Sequence, residues 1–218
     1  MYTTDMALTN PIETQETVLP VVIDLPVTLT DEFIAALCAR NPQYRFETDA
    51  DGRLVMTPGT GFLASGGEAE LIRQVGNWNT TYDFGFATSS SGYFRQIHDN
   101  DVKGPDCTYT AWENIESQIP PDREHVAYAQ LAPDVTFELM SPTDDLTILE
   151  TKCHSYLANG IKVAVLLVSR DNSVRIYRPN REPFTAPDIR AVVMVPEMPH
   201  FVLNADAVFA ATRLRRRR

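Results

Sequence analysis

The stretch APDVTFELMSPTDDLTILETKCHSYLANGIKVAVLLV, residues 132–168, decides the fold of this chain. Its first part alternates as a strand does, and the turn SPTDD leads into a helical pattern in which Leu149, Cys153 and Tyr156 share one stripe. Its last part, VAVLLV, is apolar throughout, which is typical of a strand buried on both faces. The sequence therefore predicts a βαβ unit at the centre of an α/β domain.

Length and composition favour one folded domain. The chain has 218 residues, 44% of them hydrophobic and 22% charged, which is enough for one well-buried core. We expect a flexible arm over residues 1–26, which lack periodicity, then a single domain over 27–211 and a basic tail over 212–218. Neither a secretory signal pattern nor an apolar run of roughly 20 residues is present, so we expect a cytoplasmic protein without a membrane partner.

The charge of the chain is strongly acidic except at its end. Because phosphate attraction supplies most non-specific affinity for DNA, a net charge of −10 argues against tight, sequence-independent binding. The last six residues, RLRRRR, hold five arginines, and taking their five charges from −10 leaves −15 for the rest. Such a run is either a solvated end or a local contact to nucleic acid. The three cysteines occur singly, which fits small buried side chains in a reducing compartment.

Local signals upstream predict further elements. Thr30 is a candidate N-cap for a helix, and Asp51-Gly52 separates two alternating runs as a β-hairpin turn does. The glycine-containing run PGTGFLASGG lacks a phosphate-loop pattern and is expected to be a loop. It leads into a second helix, EAELIRQVGNWNT, and the segment KGPDCTYT predicts a short strand that starts at Pro105.

Two charged residues stand inside the central pattern where packing alone would not place them. Glu138 lies in the middle of an apolar strand, and Lys152 shares the apolar stripe of the following helix. A buried carboxylate needs a charged partner or a metal, because burying it alone costs several kcal/mol. The lysine could instead extend past the helix to solvent, or pair with Glu138 in a purely structural ion pair. These two residues are the first candidates for a functional site.

A second carboxylate extends this candidate site. Asp106, in Pro105-Asp106, begins another short strand, so it is expected at a sheet position as well. Two carboxylates from neighbouring strands, with water and a backbone carbonyl, form the oxygen donor set that Mg²⁺ prefers. A lysine beside them can orient an attacking water and neutralise charge on a phosphate. The combination predicts metal-assisted phosphodiester hydrolysis.

The order of these pieces resembles the Uma-type restriction endonucleases, a bacterial group within the PD-(D/E)xK superfamily. The resemblance runs from about Thr30 to Phe209, and its main pieces are DADGRLVMTP, KGPDCTY, APDVTFELMSPTDD, ETKCHSYLANGI and RDNSVRIYRP. It implies a restriction-endonuclease-like core, with a mixed central β-sheet flanked by helices and with an N-terminal helix and hairpin. It also implies an endonuclease that uses Mg²⁺ or Mn²⁺, acts on nucleic acid, with DNA as the expected substrate, and works as a homodimer.

The resemblance assigns roles to particular residues. Asp106 becomes the acid of the PD element and Glu138 the acid of the ExK element, so that both would hold the metal. The lysine of that element would fall at position 140, but Met140 has no ammonium group to donate hydrogen bonds or to carry a positive charge. In this family the lysine is supplied from the following helix, where Lys152 stands. Catalysis therefore depends on whether the helix delivers Lys152 to the site.

A further acid is expected from the second helix, and two residues compete for that place. The family spacing back from Trp78 indicates Glu70, which we prefer, whereas the helical phase places Glu68 nearer to the apolar stripe. Two functions also remain open. The first is a metal-dependent endonuclease. The second is a nuclease-like fold that has lost catalysis and serves as a binding or assembly module, which the acidic composition and Met140 favour.

Overall fold

A six-stranded mixed sheet forms the centre of the protein. The structure is a computed structural model, and it describes residues 20–123 and 127–214. The α-helices of these residues are Asp31–Arg40 (α1), Phe62–Tyr82 (α2), Trp112–Gln118 (α3), Leu146–Ala158 (α4) and Ala205–Ala211 (α5). The strands are Val21–Ile23 (β1), Tyr44–Thr48 (β2), Leu54–Pro58 (β3), Gly85–Ser89 (β4), Phe94–Arg95 (β5), Val102–Lys103 (β6), Cys107–Ala111 (β7), Val135–Leu139 (β8), Val163–Val168 (β9), Ser173–Tyr177 (β10), Phe184–Thr185 (β11), Val192–Val193 (β12) and Val202–Leu203 (β13).

The order of strands in the central sheet is β11-β10-β9-β8-β7-β4. Strands β8 and β9 are parallel, with Glu138 beside Leu166, and the other neighbouring pairs are antiparallel. A parallel pair needs a crossover connection, and α4 supplies it. The predicted βαβ unit and the predicted α/β fold with a mixed sheet flanked by helices are confirmed.

Two hydrophobic cores cover the faces of this sheet. Because side chains alternate along a strand, Phe137 and Leu139 of β8 face the core that contains α2 and α5. Met140 faces the core that contains Cys153 and Tyr156 of α4. Both of these α4 residues are fully buried, as the predicted stripe requires. Glu138 is two residues before Met140, so its side chain points to the same face of the sheet, the face that α4 covers.

A smaller three-stranded sheet, ordered β1-β3-β2, packs with α1 around a third core. The predicted helix start is confirmed, since the Thr30 hydroxyl accepts a hydrogen bond from the Phe33 amide. The predicted hairpin is confirmed as the antiparallel pair β2–β3. The expected flexible arm over 1–26 needs a correction at its end, because Val21–Ile23 pair with β3. Residues 1–19 of that arm lie outside the described residues.

Helix α2 begins earlier than the sequence predicted, at Phe62 instead of Glu68. The run expected to be a loop therefore forms its first turns. Glycine is a poor helix former, but Gly66 and Gly67 are needed here for close packing. A Cβ on Gly66 would lie 2.5 Å from the Ala211 carbonyl oxygen of α5, and one on Gly67 would lie 2.7 Å from the Leu139 side chain. Tertiary packing thus overrides the local propensity.

The C-terminal end of the described chain is Leu214, shortly after α5. Of the predicted basic tail, residues 215–218 lie outside the described residues. Within the described ranges, no helix is long and apolar enough to cross a membrane.

Candidate active site

Asp106 and Glu138 meet where β7 begins beside β8. Strand register pairs Cys107 with Phe137, and continuing it by one pair places Asp106 opposite Glu138. The Asp106 amide donates to the Phe137 carbonyl oxygen at 3.1 Å, and the Leu139 amide donates to Asp106 Oδ2 at 2.8 Å. Both carboxylates are 4% exposed. Asp106 is therefore held by the backbone on either side of Glu138.

Helix α4 delivers Lys152 to the same place. The N-cap of the helix is Asp145, whose side chain accepts a hydrogen bond from the Thr147 amide at 2.8 Å. About two turns later, Lys152 Nζ lies 3.0 Å from Glu138 Oε1 and 2.8 Å from Glu47 Oε1. The lysine side chain is only 17% exposed, so it does not extend past the helix to solvent. Sequence and structure agree that Lys152 and Glu138 are neighbours.

Glu47 and Arg45 of β2 complete the cluster, and the sequence did not indicate either of them. Arg45 Nη1 donates to Asp106 Oδ1 at 2.9 Å, and Arg45 Nη2 donates to the Gly104 carbonyl oxygen at 2.8 Å. Glu47 Oε1 accepts from Lys152 and from the Gly104 amide, the latter at 3.0 Å. The alternation in YRFET does place both charges on one strand face. Their partners come from α4 and from the segment just before β7, which local pattern does not reveal.

Of the two candidate acids on α2, the structure places Glu68 near Asp106 and engages Glu70, the residue that we preferred, with Arg73. Glu68 is 9% exposed, its Oε1 accepts from the Thr60 hydroxyl at 2.6 Å, and burial together with the Asp106 carboxylate raises its pKa. Glu70 instead pairs with Arg73 at 2.6 Å, and the hydrogen bonds from Arg73 lower its pKa. Glu68 and Glu70 are two residues apart on the helix, so their side chains point in directions that differ by about 200° around its axis. Only one of the two acids can therefore face the cluster.

The Glu138 carboxylate is the most strongly perturbed acid of the cluster. Burial raises its pKa to about 7; the Lys152 ammonium opposes this rise, and the Asp106 and Glu47 carboxylates add to it. The Tyr156 hydroxyl donates to Glu138 Oε1 at 2.6 Å. By contrast, although burial acts against ionisation, the Lys152 ammonium helps to hold the pKa of Glu47 below its usual value.

Lys152 is a stable cation in this arrangement. Burial alone would lower its pKa, but Glu138 and Glu47 outweigh that effect and raise it. Met140, at the place where the superfamily carries its lysine, is 1% exposed and packs in the α4 core. The amine that faces Glu138 therefore comes from the helix and not from the strand.

The charge balance of the cluster suits a divalent cation. Four carboxylates, Glu47, Glu68, Asp106 and Glu138, face Arg45 and Lys152, while the nearby Lys103 pairs with Asp101, so acidic side chains outnumber basic ones in the cluster. The donors are all oxygens, which are the ligands of hard cations such as Mg²⁺ and Mn²⁺. Among the described residues, no three Asp, Glu, His or Cys side chains already surround one point closely enough to hold a metal. The donor set therefore fits two protein carboxylates with water and not a complete protein cage.

Comparison with known proteins shows the fold and the family of this chain. The chain is 20% identical to a "putative nuclease belonging to DUF820" from Anabaena variabilis, whose crystal structure superposes with a TM-score of 0.65 over 77% of this chain and 91% of that one. At this identity the likeness shows a shared nuclease-like α/β fold. The profile of the Uma2 family, described as "Putative restriction endonuclease", matches residues 30–205. The chain belongs to the Uma2 family. No curated protein matches the sequence.

Proposed function

We propose that the protein is a metal-dependent endonuclease that hydrolyses phosphodiester bonds of DNA in the cytoplasm, as a homodimer whose subunits each cut one strand. The observation that carries the proposal is the buried cluster in which Lys152 Nζ lies 3.0 Å from Glu138 Oε1, beside Asp106. Family membership supports the nuclease activity. The metal, DNA as the substrate and the dimer are the parts that experiment must decide.

In this proposal Asp106 and Glu138 hold the ion, which is Mg²⁺ or Mn²⁺. When bound, such an ion polarises the phosphate and lowers the pKa of a coordinated water. Because Lys152 stays protonated at neutral pH, it donates hydrogen bonds and does not act as a base. Its ammonium orients the attacking water and stabilises charge on the phosphate. Glu47 keeps the ammonium in place, and Glu68 adds a carboxylate on the Asp106 side.

The first test is cleavage by the unaltered protein. Incubated with supercoiled plasmid DNA and Mg²⁺, it should produce nicked and linear DNA, and EDTA should stop the reaction because the site then lacks its ion. The same assay with a single-stranded RNA shows whether DNA is the substrate. If no nucleic acid is cleaved with Mg²⁺ or Mn²⁺, the proposed activity is wrong.

Metal binding should depend on pH through Glu138. The pKa of this carboxyl is raised from 4.5 to about 7, so the metal-free site binds a proton that the ion must displace. Affinity for Mg²⁺ should therefore rise as the pH increases from 6 to about 7, by up to about tenfold per unit, and level off above. Calorimetric titration in two buffers of different ionisation enthalpy measures the proton release. A pH-independent affinity over this range would contradict the role of Glu138.

Glu68 and Glu70 form a matched pair of variants on one helix. Glu68→Gln should lower the rate of metal-dependent cleavage by about 10–100-fold, the usual effect of a group that supports a metal site. Glu70→Gln weakens the pair with the exposed Arg73, can still accept from Gln74, and should leave the rate unchanged. Initial rates at saturating Mg²⁺ decide between them. A reversed result would restore Glu70 to the site.

A binding or assembly module without catalysis is the second candidate. The observation that favours it is that Arg45 pairs with Asp106, and Lys152 with Glu138 and Glu47, as in a structural ion-pair network. A titration that detects neither Mg²⁺ nor Mn²⁺ at millimolar concentration, together with retained binding of nucleic acid, would favour this module over the nuclease.

A further inference from the structure

An open cleft lies next to the acid cluster, between α1, the start of β2 and the turn after β4. Its volume is about 520 Å³, within the range of about 300–1,000 Å³ that is usual for small-ligand sites. Its lining includes three tyrosines, one arginine and several hydroxyl side chains, among them Tyr44, Tyr93, Tyr128, Arg45, Thr60 and Ser90. The nuclease proposal does not use this cleft.

The aromatic rings give the cleft its binding chemistry. Tyr93 and Tyr128 pack edge to face, with ring centroids 6.1 Å apart, and so form a rigid wall. Tyr44 is 37% exposed at the start of β2 and leaves part of its ring open to a ligand. A planar, weakly polar group that stacks on such a ring gains affinity whatever its hydrogen-bonding pattern, as nucleic acid bases do.

The inner wall of the cleft is shared with the acid cluster. Arg45 and Thr60 line the cleft, and the same side chains donate to Asp106 at 2.9 Å and to Glu68 at 2.6 Å. The carboxylates behind this wall repel an anion except where a bound divalent cation neutralises them, so a phosphate is a poor occupant of the cleft itself. A neutral base suits it better, with the phosphate next to that base at the acid cluster.

We propose that this cleft binds one unpaired base of the nucleic acid strand, stacked on Tyr44, and thereby sets the nucleotide next to the scissile phosphate. The inference rests on the proposed nuclease function, because it takes the acid cluster as the place of the phosphate. A base can enter only when it is out of the duplex stack. The protein should therefore bind single strands more tightly than the same sequence in a duplex.

The test uses the full-length protein at low salt with Ca²⁺ in place of Mg²⁺, so that a divalent cation still neutralises the acid cluster, and gel analysis of the oligonucleotide confirms that nothing is cleaved. The probe is a short single-stranded oligonucleotide with one 2-aminopurine, whose fluorescence reports stacking of that base. The unaltered protein should change the fluorescence and bind the single strand at least tenfold more tightly than the duplex. Tyr44→Ala should weaken binding roughly 5- to 100-fold, the loss expected for one stacking contact.

Three comparisons keep the result specific. Tyr44→Phe keeps the ring and should bind as the unaltered protein does. Tyr82→Ala removes a tyrosine of similar exposure, 41%, from a separate cluster with Phe84, and should change nothing. The 2-aminopurine deoxynucleoside monophosphate shows whether a free nucleotide is the ligand instead of a strand.

The proposal is overturned if the unaltered protein does not bind the single strand, if the Tyr44→Ala variant binds as tightly as the unaltered protein, or if the free nucleotide binds as tightly as the strand. These failures differ from failure of the nuclease. A protein that cleaves DNA with Mg²⁺ but shows no Tyr44-dependent binding lacks only the base site. A protein that shows this binding but never cleaves lacks only the activity.

Discussion

Replacing Lys152 with methionine should lower the rate of metal-dependent cleavage by about 10²–10³-fold, because no ammonium then stabilises the transition-state charge. The change also leaves Glu138 and Glu47 without their shared cation, and orphaning a buried charge costs roughly 3–5 kcal/mol of stability. Rates should therefore be measured at a temperature at which urea unfolding shows the variant to be folded. Unchanged cleavage by folded Lys152→Met would rule out a catalytic role for this lysine.

Two further variants separate position from charge. Lys162→Met removes another lysine, which is 57% exposed and pairs with Asp134, and it should leave the rate unchanged. In Met140→Lys/Lys152→Met the amine moves from the helix to the strand position that the superfamily uses, beside Glu138. If the amine only needs to lie near Glu138, this double variant should cleave about tenfold faster than Lys152→Met. That gain corresponds to ~1.4 kcal/mol of the activation barrier.

Replacing Glu138 with glutamine should abolish both metal binding and cleavage, with a loss of more than about 10³-fold in rate, because a bound ion supplies several kcal/mol of charge stabilisation. The amide has the shape of the carboxylate and can still accept from Tyr156. Since burial already disfavours the charged form of Glu138, we expect the free energy of unfolding to change little. Calorimetric Mg²⁺ titration and plasmid cleavage measure the two losses.

Glu150, on α4, is the matched control for Glu138. It pairs with Arg175 and accepts from the Tyr177 hydroxyl at 3.1 Å, away from the cluster. Glu150→Gln should bind Mg²⁺ and cleave as the unaltered protein does. If Glu138→Gln retained Mg²⁺-dependent cleavage, the ion would have to be held elsewhere.

The choice between Glu68 and Glu70 shows where sequence reasoning was limited. Helical phase favoured Glu68 and the family spacing favoured Glu70, and both arguments used only local order along the chain. The structure favours Glu68, because Asp106 comes near it from another element, while Arg73 on the same helix engages Glu70. Which acid faces the cluster depends on how α2 packs against the sheet.

The sequence by itself determined the βαβ unit, the N-terminal helix and the hairpin, because their signals are local: a period of two, a period of 3.6, an N-cap and a turn pair. It also singled out Asp106, Glu138 and Lys152 as candidates. Only the tertiary structure brought in Arg45 and Glu47. Glu47 is 105 residues from Lys152 and Arg45 is 61 from Asp106, and no local pattern predicts which charges separately formed elements place against each other.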